Sequence, residues 1–170
     1  MDLGTVNRLD QAAFAAALGA VFERSPWVAE RAWKQRPFAN AQSLHEAMLG
    51  CVCEATREEQ LALIRAHPEL AGREAVAGVL TPDSSGEQGR LGFTSLSHAE
   101  FERMGDLNRR YREKFGFPCI IALKLHADRD TVIAEFEGRL ANDADTEVRN
   151  ALEQIGHIAQ GRLDKLVNGG

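Results

Sequence analysis

Only one run in this 170-residue chain, FPCIIALKL at 117–125, has the apolar, strand-like character of a β-segment. One strand has nothing to pair with and cannot make a sheet. The run is therefore expected as a buried extended or irregular segment, or as the start of another helix. The remainder is patterned for helices. DQAAFAAALGAVF places Phe14, Leu18, Val21 and Phe22 at three- and four-residue spacing. SPWVAERAWKQRP offers Ser25 as a cap, Pro26 at the first helical position and Pro37 past the end. Four Ser/Thr-x-x-Glu pairs read as capping boxes: Ser43 with Glu46, Thr56 with Glu59, Ser84 with Glu87, and Ser97 with Glu100. The helix opened by Ser97 is expected to run to about Phe115 and stop at Gly116. DTVIAEFEGRLAN and DTEVRNALEQIGHIAQGRLDKLV complete the set. The expected class is all-α: a single domain over 1–170, built as a bundle of about eight helices around one buried FPCIIAL segment.

Charge and composition narrow the partners. A net charge of -5 argues against nucleic acid, which requires a concentrated basic face. Basic runs such as Arg109-Arg110-Tyr111-Arg112 alternate with acids and read as a solvated helix face. No apolar run approaches the roughly 20 residues of a membrane span. MDLGTVNRLD has neither a basic nor an apolar leader region, so no signal peptide is expected and the cytoplasm is the default compartment. The three cysteines suit a reducing compartment. Cys51 and Cys53 are two apart on a predicted helix, poorly placed as a metal pair or disulfide, and are expected to be small packing residues.

The least helical stretch, HPELAGREAVAGVLTPDSSG, is where function is expected, because irregular loops on a rigid scaffold carry binding and catalytic groups. Pro68 disfavours helical backbone at His67, so the preceding helix must end there. The imidazole then lies at a helix C-terminus, where the dipole favours its protonated form. Two readings follow: a proton donor adjustable near neutral pH, or a residue that satisfies the last carbonyls of the helix. Glu87 likewise reads either as the acid of the Ser84 capping box or as a carboxylate that orients a catalytic group or accepts a proton. SSGEQG concentrates hydroxyls, a carboxylate and an amide in a form suited to a small polar ligand. His45, His98 and His157 lie in strong helical patterns, and His126 in a polar turn. None has the H-E-x-x-H spacing of a metal site, and no nucleotide-binding or hydrolase motif is present.

Four motifs occur in order: HPELAG (67–72), SSGEQG (84–89), FGFPCIIAL (115–123) and IAQGRL (158–163). As a set, spread over nearly the whole chain, they resemble the family of 2-oxo-4-hydroxy-4-carboxy-5-ureidoimidazoline (OHCU) decarboxylases. That resemblance implies an all-helical, cofactor-free, homodimeric enzyme. Its substrate would be the small molecule OHCU and its product (S)-allantoin, formed with loss of CO2 in the last step of urate-to-allantoin conversion. It implies His67 and Glu87 as catalytic residues. It implies Pro68, Ser84, Ser85, Gly86, Glu87, Gln88, Cys119, Ile120, Ile121, Ala122, Leu123 and Arg162 as substrate-binding, with 119–123 acting largely through backbone groups. No metal is implied. Cys119 stands where the family more often carries Phe, and GRLGF follows Gln88 where an Ala-Gly pair is more usual. Two rival readings remain beside it: a non-enzymatic helical binding module in which His67 and Glu87 only cap helices, and a metal-dependent hydrolase using His67, Glu87 and His98.

Overall fold

The computed structural model describes residues 1–167, and the chain divides into two compact units. The first comprises Met1–Ala66 and the chain from Gly156 onward. It contains α1 (Leu3–Arg8), α2 (Gln11–Leu18), α3 (Trp27–Ala32), a 3-10 turn (Trp33–Gln35), α4 (Ala41–Cys53) and α5 (Arg57–Ala66). Its core holds Phe14, Leu18, Val21, Phe22, Leu44, Met48, Leu63, Ile64 and Leu163. Such a cluster contributes about 1.5–3 kcal/mol for each fully buried large side chain.

The second unit is His67–Ile155. It contains α6 (Arg73–Ala77), α7 (Pro82–Arg90), α8 (His98–Phe115), a 3-10 turn (Leu123–Leu125) and α9 (Arg129–Arg139). The last helix, α10 (Ala144–Val167), begins in this unit and ends in the first. Tyr111 sits at the centre of the second core, with ring centroids 4.5 Å from Phe115, 5.9 Å from Phe117 and 5.7 Å from Phe136. Phe93, Met104, Val132, Val148 and Ile155 are further buried side chains of the same unit.

The described residues contain ten α-helices and no strand. The number exceeds the eight or so expected because α1 and α6, pieces of only six and five residues, were not read from periodicity. FPCIIALKL is irregular from Pro118 to Ala122 and then turns through the short 3-10 element, as one of the expected alternatives had it. Two capping boxes form as read: Thr56 with Glu59, and Ser97 with Glu100. The Ser97 helix ends at Phe115 on Gly116, whose φ of 77° is left-handed backbone that glycine adopts without Cβ strain.

Other local expectations are corrected. Ser43 is the third residue of α4, and its backbone N–H donates to the Asn40 side chain, the true cap, at 2.7 Å. Ser84 is likewise the third residue of α7, which Thr81 caps. Ser25 caps nothing: its hydroxyl donates to the Glu23 carbonyl at 2.8 Å, and Pro26 itself occupies the cap position of α3. Cys51 is buried, but Cys53 is exposed because successive odd positions of a helix face different ways.

Candidate active site

α5 ends at Ala66, and the next residue, His67, is buried at 7 % exposure. The loop that follows is fixed by side chains from two helices. Gln88 of α7 spans it: its Oε1 accepts from the Ala71 N–H at 3.0 Å and its Nε2 donates to the Glu69 carbonyl at 3.3 Å. Asn108 of α8 donates to the Leu70 carbonyl at 2.8 Å. Arg112 of α8 pairs with the Glu69 carboxylate. Ala71 holds a left-handed φ of 51°, unusual for a residue with a side chain. Gly72 is required by contact, because a Cβ there would lie 2.8 Å from the Glu69 Cβ. The five residues of HPELAG after His67 each have a local reason: Pro68 ends the helix, Leu70 is buried, and Glu69, Ala71 and Gly72 close a tight, pinned turn.

α7 carries the second motif. With Thr81 as cap and Pro82 at the first helical position, Ser84 and Gln88 turn inward and are buried, while Ser85 and Gly86 are exposed. Glu87 lies six residues into the helix and half-buried. It is not the acid of a capping box, because Ser84 is not the cap. At the end of the same helix, Arg90 donates to the carbonyls of Leu123 and His126, the latter at 3.0 Å. One nine-residue helix thus bonds to the His67 loop through Gln88 and to the third motif through Arg90.

The third motif is buried over its second half: Cys119, Ile120, Ile121, Ala122 and Leu123 are each at most 4 % exposed. From Pro118 to Ala122 the backbone is outside any helix or strand, and two of its groups meet side chains instead. Arg139 donates to the Ile120 carbonyl, and Gln154 accepts from the Ala122 N–H at 2.8 Å. Arg139 is itself held by Glu147, Nε to Oε1 at 2.8 Å. Glu147 also accepts from Tyr111, from Asn142 at 3.0 Å and from Asn150 at 2.7 Å. Burial would raise the Glu147 carboxyl, but these donors outweigh it and hold it below its ordinary range. Burial also pushes the Tyr111 phenol well above its usual value, so it stays a donor. The Cys119 thiol is pushed up to about 12 by burial, only partly offset by Arg139. It is a neutral wall residue and not a nucleophile near pH 7.

Three of the four motifs, with His67, Pro68, Ser84–Gln88 and Cys119–Leu123, belong to the second unit. Arg162 lies on the part of α10 that belongs to the first unit, buried and 2.7 Å from the buried carboxylate of Glu23. Three of the remaining histidines have partners elsewhere. His45 Nε2 lies 2.9 Å from the Gly156 carbonyl, His126 contacts Thr131 and Glu135, and exposed His98 faces Glu102 across one turn. Among the described residues, no three of His, Cys, Asp and Glu are grouped to hold a metal ion. The positioning side chains Arg90, Asn108, Arg139 and Gln154 were not singled out from sequence. Each acts on a residue 32 or more positions away, except Arg139, which acts 19 away, and neither distance leaves a local pattern.

Comparison with known proteins agrees with this geometry. A family model described as OHCU decarboxylase matches residues 7–164. The OHCU decarboxylase of Haloferax volcanii is 42% identical over 163 residues, covering 96% of this chain and 94% of the relative. A crystal structure of (S)-allantoin synthase superposes with a TM-score of 0.77 at 29% identity, covering 98% of this chain and 54% of that one. A crystal structure of OHCU decarboxylase in the presence of (S)-allantoin shares the fold, with a TM-score of 0.69 at 18% identity, covering 94% of this chain and 99% of that one. With its motifs in order and a match over nearly its whole length, the chain belongs to the OHCU decarboxylase family.

Proposed function

We propose that this chain converts OHCU to (S)-allantoin and CO2 without a cofactor, as a cytoplasmic homodimer in which 1–170 form one decarboxylase domain. Decarboxylation must place an electron pair, a task for which many enzymes recruit a cofactor. OHCU carries its own sink. The bond to the carboxylate breaks, its electron pair enters the adjacent ring C=N, and that nitrogen takes a proton. The ring hydroxyl of the resulting enol then gives up its proton as C=O forms, and the neighbouring carbon takes one. Protonation from one face sets the (S) centre.

His67 is the group that moves a proton at the reacting carbons, and Glu87 orients it or holds the ureido arm. Ser84 and Gln88 on α7, with the backbone of 119–123, hold the polar edge of the ring, beside Pro68. Positioned proton transfer contributes about 10²–10⁴-fold. The remainder comes from orientation and fixed dipoles.

The observation that carries this reading is the double tie of α7, through Gln88 to the His67 loop and through Arg90 to Leu123. It joins the three segments that the chemistry requires. The test generates OHCU in situ by enzymatic oxidation of urate and hydrolysis of the product, and follows (S)-allantoin by circular dichroism. The purified chain, before and after exhaustive EDTA dialysis, should accelerate formation of the (S) product equally. A rate no greater than the spontaneous one overturns the proposal, and loss of activity on chelation overturns its cofactor-free part. Light scattering at twice the chain mass checks the dimer.

A further inference from the structure

We infer that Arg139 and Gln154 are positioning residues for the decarboxylation, fixing the Ile120–Ala122 backbone that recognises the ring. The inference rests on the proposed role of segment 119–123. A buried stretch outside helix and strand has backbone groups that must find partners. Here Arg139 takes the Ile120 carbonyl and Gln154 takes the Ala122 N–H at 2.8 Å. Ala122 is extended, with φ -74° and ψ 96°. The two pins hold the Ile120 carbonyl and the Ala122 N–H, the groups on either side of Ile121.

The construction is more than stability requires. Replacing a buried ion pair such as Arg139–Glu147 by apolar side chains of similar volume is often neutral or stabilising. What apolar residues cannot supply is a donor held still under a carbonyl. The guanidinium uses Nε for Glu147 and Nη1 for Ile120, and Glu147 is clamped by Tyr111, Asn142 and Asn150. A planar, multi-donor cation in a fixed orientation serves both partners, whereas a lysine serves only one at a time.

The test uses the full chain with three variants. Gln154 is only half-buried, so its substitution is expected to leave folding intact. Gln154→Met removes the acceptor for Ala122, whereas Gln154→Glu keeps an acceptor at the same reach. Expected for Gln154→Met is a rise in KM, and a matching weakening of (S)-allantoin binding by calorimetry, of about three- to tenfold, the effect of one net hydrogen bond. kcat should change less than KM. Gln154→Glu should restore both to within about twofold. Arg139→Lys, which keeps the charge opposite Glu147, should show the same KM-dominated loss; if it does not fold, the Gln154 pair decides. Unchanged KM and binding in Gln154→Met, or a defect that Gln154→Glu fails to rescue, overturns the inference while wild-type turnover leaves the proposed function standing. Absence of wild-type turnover overturns both.

Discussion

The loop His67–Gly72 and the segment Pro118–Leu123 both lie outside regular structure, and both present motif residues, yet opposite chemistry holds them. The loop is held chiefly by neutral carboxamides, Gln88 and Asn108, with one partly exposed ion pair between Glu69 and Arg112. Exposed pairs of that kind contribute about 0–1 kcal/mol. It also carries a left-handed Ala71. The segment is held by a buried ion pair, its phenol and amide donors, and Gln154. A support made of neutral hydrogen bonds can give by a few tenths of an ångström at modest cost. One made of buried charge cannot lose a member without leaving an ion unpaired. The arrangement suits the proposed division of labour: the loop bears the histidine that moves a proton, and the segment is a rigid ring template.

The largest effect should come from breaking the segment's support. Arg139→Met leaves Glu147 buried without its cation, and urea denaturation should show a loss of about 3–5 kcal/mol. Acid tests the same cluster reversibly. Because Glu147 is held below the ordinary value of 4.5, its contribution is complete above that pH and is lost as pH falls through the lowered value. Acid-induced unfolding of wild type should therefore include a Glu147 component that Glu147→Gln lacks.

In the loop, the effect should fall on rate and not on folding. His67→Asn keeps a polar side chain but cannot shuttle a proton near neutral pH. Turnover should fall by about 10²-fold or more, melting should stay near wild type, and the remaining spontaneous reaction should give near-racemic product. A variant that keeps rate and stereochemistry would return His67 to a helix-end role.

Glu87→Gln comes next. The substitution keeps the shape of this half-buried side chain, so stability should change by less than about 1 kcal/mol. Turnover should fall about tenfold, the cost of one charge-assisted hydrogen bond. The loop's own support is tested by Gln88→Met, which cuts both bonds to Glu69 and Ala71. A stability loss of about 1–2 kcal/mol in thermal melting, far below that of Arg139→Met, would verify that the loop is the softer support.

Much of the site was legible before any coordinates. His67-Pro68 marked a helix end with a histidine beyond it, and the chain leaves α5 at that point. Ser97 with Glu100 marks the start of α8, and Gly116 its end at about Phe115. Ser84 with Glu87 matches the capping-box spacing, yet Thr81, three residues upstream, is the cap. The sequence held the corrective signal, since Pro82 favours the first helical position and so makes Thr81 the cap. That shift matters, because it removes the capping explanation for Glu87. By contrast, nothing in GLY or ALA as letters showed that Gly72 yields to the Glu69 side chain or that Ala71 is left-handed.

The sequence by itself determined the elements: helices from three- and four-residue periodicity, their ends from caps, proline and glycine, and the absence of a sheet from a single strand-like run. These effects act between residues a few positions apart, so local order of letters suffices to read them. The tertiary structure alone decided what holds the irregular segments: Gln88 on Ala71, Arg139 on Ile120, Gln154 on Ala122 and Asn108 on Leu70, across 17, 19, 32 and 38 residues of chain. Buried backbone groups outside helices must find donors and acceptors wherever packing delivers them. Which distant side chain arrives depends on the assembled core and leaves no periodic trace in the sequence.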